Sequence, residues 1–203
     1  MADIRISETV IENQKIVFAN GNYYIVGTNV VFKNCELIFE ITKSNIVLSM
    51  VEFHNCTFVF KKKFVNARWF DVKIFNCKFT GVLCGNDMGN MESVANEGYF
   101  SALHSADFSN CILDGVRFVN VDLTKIILPH WPCFTILNEV AHKQELISIK
   151  SWKEYSLRYI DIEKYTLPNT TALTYYFPSL MKDFNVDEDD FLDEIKGKKF
   201  ILR

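Results

Sequence analysis

The chain has 203 residues, 49% of them hydrophobic and 14% aromatic, with 18 Phe against 8 Gly and 4 Pro, a composition that argues against disorder and for an aromatic interior. A net charge of −3 favours neither a nucleic-acid-binding protein nor an acidic mimic of nucleic acid. The Met-Ala-Asp-Ile-Arg start has no basic region followed by an apolar run, and no stretch of ~18 apolar residues occurs, so a cytoplasmic protein without a membrane span is expected.

Residues 1–31 carry alternating apolar patches (Ile4, Ile6; Ile16, Phe18; Tyr24, Val26) broken by the turn signal Asn20-Gly21-Asn22, which predicts short strands forming a first turn and an N-terminal cover. A hexapeptide pattern then organises the chain. It reads Phe32-Lys33-Asn34-Cys35-Glu36-Leu37, Phe53-His54-Asn55-Cys56-Thr57-Phe58, Ile74-Phe75-Asn76-Cys77-Lys78-Phe79 and Phe108-Ser109-Asn110-Cys111-Ile112-Leu113. The first three copies start 21 residues apart and the fourth 34 after the third, which a 13-residue polar insertion at 86–98 would explain. Ile11-Glu12-Asn13-Gln14-Lys15-Ile16 is an earlier copy with Gln in the Cys place. A fixed period with one interruption is the signature of a solenoid.

On that period Cys35, Cys56, Cys77 and Cys111 are expected to form one interior ladder. Such a line cannot supply tetrahedral ligation, and no Cys-x-x-Cys occurs, so the ladder reads as structural thiols, with no metal and no cofactor expected. Lys61, Lys62 and Lys63, with Arg68, would decorate adjoining coils, either as a solvated face that blocks sheet-edge association or as a basic patch for an acidic protein surface. Lys63 falls where an inward Leu or Phe would be expected. The insertion would leave the rod at a corner, and Asp87, Met88, Asn90, Met91 and Glu92 on it are candidate contacts for a protein partner. The four histidines, His54, His104, His130 and His142, are scattered, with His54 outward.

Between 101 and 130 six pentads follow one another, with Leu103, Phe108, Leu113, Phe118, Leu123 and Leu128 in the third places and small or medium residues such as Ala106, Cys111, Val116 and Val121 in the first. Ala67-Arg68-Trp69, Val72-Lys73-Ile74, Cys77-Lys78-Phe79 and Val82-Leu83-Cys84 show the same grammar. Over roughly residues 30–130 the chain resembles the pentapeptide-repeat family. That resemblance implies a right-handed quadrilateral β-helix with the first and third pentad residues inward, and the first coils here are expected to be less square than the last.

After Pro129 the composition turns helical. Ser151-Trp152-Lys153-Glu154 has the form of a capping box, leading a helix that ends before Pro168. Thr170 or Thr171 is expected to cap a second helix running through Phe184, broken or kinked at Pro178, and Asp187 begins a third that stops at Gly197. Phe200-Ile201-Leu202 is expected to pack back as a terminal strand. The organisation is therefore a mainly β solenoid over 1–130, with its N-terminal cap and the insertion, and a mainly helical C-terminal region over 131–203.

No catalytic constellation stands out, so a non-enzymatic protein-binding module is expected. Among bacterial pentapeptide-repeat proteins the resemblance implies two roles: an immunity or antidote protein that occludes a toxin, or a DNA-shaped protector of gyrase and related topoisomerases. Residues 1–130 contain 12 Lys plus Arg and 13 Asp plus Glu, too balanced for a DNA mimic, which places toxin neutralisation first. A β-helix carbohydrate-active enzyme would need two acids ~5–9 Å apart across a groove. Asp107, Asp114 and Asp122 occupy ordinary solubilising positions.

Overall fold

A computed structural model describes residues 2–90, 102–152, 155 and 157–203. The first turn contains β1 (Ala2–Ile6), β2 (Val10–Glu12) and β3 (Lys15–Phe18), followed by β4 (Asn22–Lys33) and β5 (Glu36–Phe39) in the second. β6 (Ile46–His54), β7 (Thr57–Phe60) and β8 (Phe64–Val65) come next, then β9 (Arg68–Trp69), β10 (Val72–Phe75), β11 (Cys77–Cys84) and β12 (Asp87–Gly89). β13 (Ala102–Leu103), β14 (Ala106–Asp114), β15 (Val116–Val119) and β16 (Ile126–Ile127) complete about five turns of a parallel β-solenoid. The strands stack into three sheets, ordered β1-β4-β6-β10-β13, β16-β14-β11-β7-β5-β3 and, continuing into the C-terminal region, β15-β12-β9.

The corner before each inward cysteine explains why Asn recurs. Asn13, Asn34, Asn55 and Asn76 have φ of 55°, 53°, 53° and 52°, the left-handed conformation that Asn tolerates better than other side-chain-bearing residues. The amides of the first three form a ladder: Asn34 Nδ2 donates to Asn13 Oδ1 at 3.3 Å and Asn55 Nδ2 to Asn34 Oδ1 at 3.2 Å. Asn76 pairs with Ser105 of the next turn, whose Oγ accepts from the Asn76 N–H at 3.0 Å and donates to Asn76 Oδ1.

Cys35, Cys56 and Cys77 follow as inward residues, but Cys111 does not continue their line. Cys77 lies opposite Ala106, and Cys111 lies opposite Gly81. The interval across the insertion is 29 residues, from Asn76 to Ser105, and not 34. The fourth copy of the motif is therefore displaced by one pentad onto the next side of the coil. Phe108 accordingly stacks on Phe79 at 4.5 Å and extends the column that starts with Phe58, 4.4 Å from Phe79. Asn110 is not among the residues of positive φ.

Early and late turns differ in outline. The second turn closes through a 3-10 turn at Lys43–Asn45, whereas β8 opens a further strand-bearing side from Phe64 onward. Gly81 divides β11 between two sides, with a register shift to β14 between Lys78 and Thr80. It has φ +111°, and a Cβ there would lie 2.4 Å from the Phe60 carbonyl oxygen, so the corner requires glycine. Lys63 does not intrude into the core: it is exposed, and the inward place belongs to Phe64, 2% exposed. The short strands expected over residues 1–31 are present, and β1, β2 and β3 form the first turn among the described residues.

The C-terminal region contains β17 (Cys133–Leu137), β18 (Thr170–Tyr176) and β19 (Ile201–Leu202), all antiparallel to their neighbours. β18 replaces the expected start of a second helix. Thr170, Thr171 and the aromatic pair Tyr175 and Tyr176 suit a strand, and their backbone groups pair with β15 on one side and β17 on the other. The helix begins only at Phe177, with Pro178 in its first turn, where the missing N–H costs no hydrogen bond. It ends on Asn185 at φ 51°.

Along the expected helix from Ser151, Tyr155 is helical, and a 3-10 turn at Leu157–Tyr159 and a short helix at Ile162–Tyr165 follow among the described residues. Ser151 donates both its N–H and its hydroxyl to Glu194 Oε2 at 2.8 Å, while Lys153 and Glu154 lie outside the described residues. The third helix, Glu188–Ile195, is as expected, with Asp187 Oδ1 accepting from the Asp190 N–H at 3.1 Å. These elements enclose a second core around Phe134, Trp152, Tyr159, Tyr175 and Phe191, distinct from the solenoid core.

Candidate functional site

The expected partner-binding loop begins later than its polar letters suggest. Asn86, Asp87 and Met88 are 0%, 4% and 0% exposed, so Asp87 and Met88 belong to the solenoid and not to a projecting loop. Met88 takes an inward place, and Asn86 is satisfied by donating Nδ2 to the Phe64 and Cys84 carbonyls at 2.8 and 2.9 Å and accepting from Trp69 Nε1 at 3.1 Å. Asp87 accepts from Arg117 Nε at 2.7 Å and lies 4.0 Å from Arg68 Nε. The Asn90 N–H donates to the Val119 carbonyl at 2.9 Å. Met91, Glu92 and the remainder of the insertion lie outside the described residues.

Lys61, Lys62, Lys63 and Arg68 are all exposed. Lys62 Nζ donates to Asn20 Oδ1 at 2.6 Å, across two turns of the coil. Arg68 instead stands at a small cleft of about 80 Å³ between β6 and β9, lined also by Lys43, Leu48, Phe64 and Trp69. The four basic residues therefore divide between a turn and a cleft, and Lys43 joins the second group.

An outward column on the β4-β6-β10-β13 sheet escaped the sequence reading. Lys33 lies opposite His54, and His54 opposite Phe75. The His54 ring stacks on Phe75 at 4.5 Å and 6°, and Phe75 stacks on His104 at 4.5 Å and 15°. Beside the column Glu52 accepts from Lys73 Nζ at 2.8 Å and pairs with His54 Nε2 at 3.2 Å. The Lys73 hydrogen bond, reinforced by His54, holds the Glu52 carboxyl below its usual range against a smaller opposing effect of burial. The result is a flat strip with an aromatic centre and a charged flank, next to the asparagine ladder. Its signal was present in the residue before each corner Asn. The overestimated insertion assigned Ser109 to the place that His104 occupies.

A second cluster lies where the C-terminal region meets the coil. Arg117, Glu139, Tyr155, Arg158, Tyr159 and Tyr175 are among the residues lining a cavity of about 150 Å³. Glu139 is 3% exposed and accepts from Thr166 Oγ1 at 2.9 Å, and burial pushes its carboxyl above the ordinary range. Burial also pushes the Tyr155 phenol up to about 12 and raises Tyr159 and Tyr175. Arg158 lies 4.8 Å from the Tyr155 ring centre and 5.1 Å from that of Phe184, while Arg117 reaches from Asp87 to the Tyr165 carbonyl at 3.4 Å. This network ties the helices to β15 and acts as a joint.

The interior thiols differ: burial pushes Cys111 up to about 12, hydrogen bonding to Cys56 together with burial raises Cys77, and burial raises Cys35, whereas the hydrogen bond with Cys77 lowers Cys56 to about 7 against the effect of burial. Cys56 is only 1% exposed, so the ladder is shielded from solvent. Among the described residues no three His, Cys, Asp or Glu side chains are placed to hold a metal ion, and no helix is long and apolar enough to cross a membrane.

Compared with protein-family models, curated proteins and solved structures, the chain matches none of them. The chain forms a parallel β-solenoid with a few C-terminal helices, and its resemblance to pentapeptide-repeat proteins lies in the pentads alone.

Proposed function

We propose that the protein is a non-enzymatic binding module that neutralises another protein by covering part of its surface, with the strip around His54, Phe75 and His104 as the contact. The observation that supports this reading is the outward aromatic stack itself, with ring separations of 4.5 Å in adjoining turns. Outward positions on a solenoid need no aromatic residue for folding, and a rigid sheet that holds Phe75 between two imidazoles meets a partner with little loss of side-chain freedom. Lys73 and Glu52 at its edge supply charges of both signs, which suit a mixed protein surface better than a polyanion. An immunity-type role, in which the partner is a toxin or effector, is the specific form that the repeat resemblance supports.

The test is co-expression with the product of the adjacent gene, read as growth rescue and as a complex that survives size-exclusion chromatography. Rescue and co-elution by the unaltered chain, both lost in Phe75→Ala/His104→Ala with unchanged circular dichroism, are expected. A double variant that binds and rescues as well as the unaltered chain would overturn the assignment of the strip. No rescue and no complex would overturn the neutralising role.

A further inference from the structure

The N-terminal end of the solenoid exposes pairing edges on three strands at once. β1 and β2 pair only with β4, and β3 only with β5, so each has one free edge among the described residues. The end of the core is also incompletely covered. Ile4, Ile6, Ile11 and Ile16 are only partly buried, and Val10 and Val17 are 55% and 42% exposed. Free strand edges over an apolar end are a template for further pairing, and native solenoids cover such ends.

We propose that this end binds a second copy of the same chain, β1 against β1, in an antiparallel pair about a two-fold axis through Ile4. The sequence of β1, Ala2-Asp3-Ile4-Arg5-Ile6, is charge-symmetric about its centre. Ile4 and Ile6 turn toward the core, and Asp3 and Arg5 are exposed on the other face. With Ile4 opposite Ile4 of the second copy, each Asp3 lies opposite an Arg5, so two opposite-charge cross-strand pairs form. Neither Asp3 nor Arg5 has an ion-pair partner among the described residues of its own chain.

The same rotation turns the partly buried isoleucines at the two core ends toward each other. It is a closed, isologous contact, whereas head-to-tail stacking would build a filament. At the far end β18 already runs antiparallel along β15, so that sheet offers no parallel strand for head-to-tail growth.

Sedimentation equilibrium of the full chain over a dilution series tests the proposal. A dimer of twice the 23.6 kDa chain mass is expected. Asp3→Arg and Arg5→Asp, each alone, place like charges opposite each other twice per dimer and are expected to raise the dissociation constant about tenfold or more, while Asp3→Arg/Arg5→Asp restores it. Both residues are exposed, and circular dichroism checks that each variant folds. A chain that remains at 23.6 kDa at every concentration overturns the proposal. So does a dimer indifferent to the single reversals, or one weakened by them and not restored by the double.

Discussion

Truncation of Phe79 probes the interior column directly. Phe79 is 1% exposed, stacks on Phe58 at 4.4 Å and on Phe108 at 4.5 Å, and has Trp69 edge-on at 6.3 Å. Phe79→Ala removes a ring from the middle of three successive turns and leaves a cavity that the rigid ladders on either side cannot close. The expected cost is about 4 kcal/mol, the middle of the range for buried Phe→Ala substitutions. Phe75 serves as the internal control, because it lies only four residues away but points outward. Phe75→Ala is expected to cost about 1 kcal/mol or less. Urea denaturation followed by both tryptophan fluorescence and circular dichroism gives the two values and shows whether solenoid and C-terminal region unfold together. Equal destabilisation by the two substitutions, or a larger effect at Phe75, would refute the inward and outward assignment.

Other substitutions test separate parts of the account. Asn55 sits at φ 53° within the asparagine ladder, so Asn55→Ala is expected to cost about 1–2 kcal/mol in denaturation, and Asn55→Gly to recover part of that by relieving the backbone but not the lost amide bond. Asp87→Ala leaves Arg117 without its 2.7 Å partner next to a buried site, and a loss of about 3 kcal/mol is expected; a loss under about 1 kcal/mol would show that the pair is not held as described. Burial raises the folded-state pKa of Glu139, so its contribution is fully present below the ordinary value of 4.5 and is lost as pH rises through the raised folded-state value. Glu139→Gln should therefore have a higher urea midpoint than the unaltered chain at neutral pH and the same midpoint in acid; a difference that grows toward acid would reverse the sign and refute the burial argument.

The solenoid was legible in the sequence because two repeating constraints act together. Inward places recur with the coil, as at Phe32 and Phe53, and the left-handed corner selects Asn at 13, 34, 55 and 76. The misplacement of Cys111 has an equally simple cause. Every side of the coil obeys the same small-x-large rule, so an insertion of unknown length leaves the phase ambiguous by a whole pentad, and a matching Asn-Cys pair on the next side imitates a ladder member. Asp87 and Met88 stand in a polar string that has the look of a loop, but such a string is interior here because Arg117 and backbone carbonyls satisfy its polar groups. The cap-like threonines Thr170 and Thr171 predict a helix where β18 lies. The partner strands that make it a strand come from residues over thirty positions away on β17 and fifty on β15, beyond any local pattern. The His54-Phe75-His104 stack depends on that same phase, which is why its members seemed scattered.

The register across the insertion is the most direct test of the whole arrangement, since the core column, the thiol ladder and the outward strip all follow from it. Nuclear Overhauser contacts measured on labelled protein read it without substitution, because neighbouring strands lie ~4.8 Å apart. The account predicts backbone contacts between Cys77 and Ala106 and between Gly81 and Cys111. Contacts between Cys77 and Cys111 would contradict it.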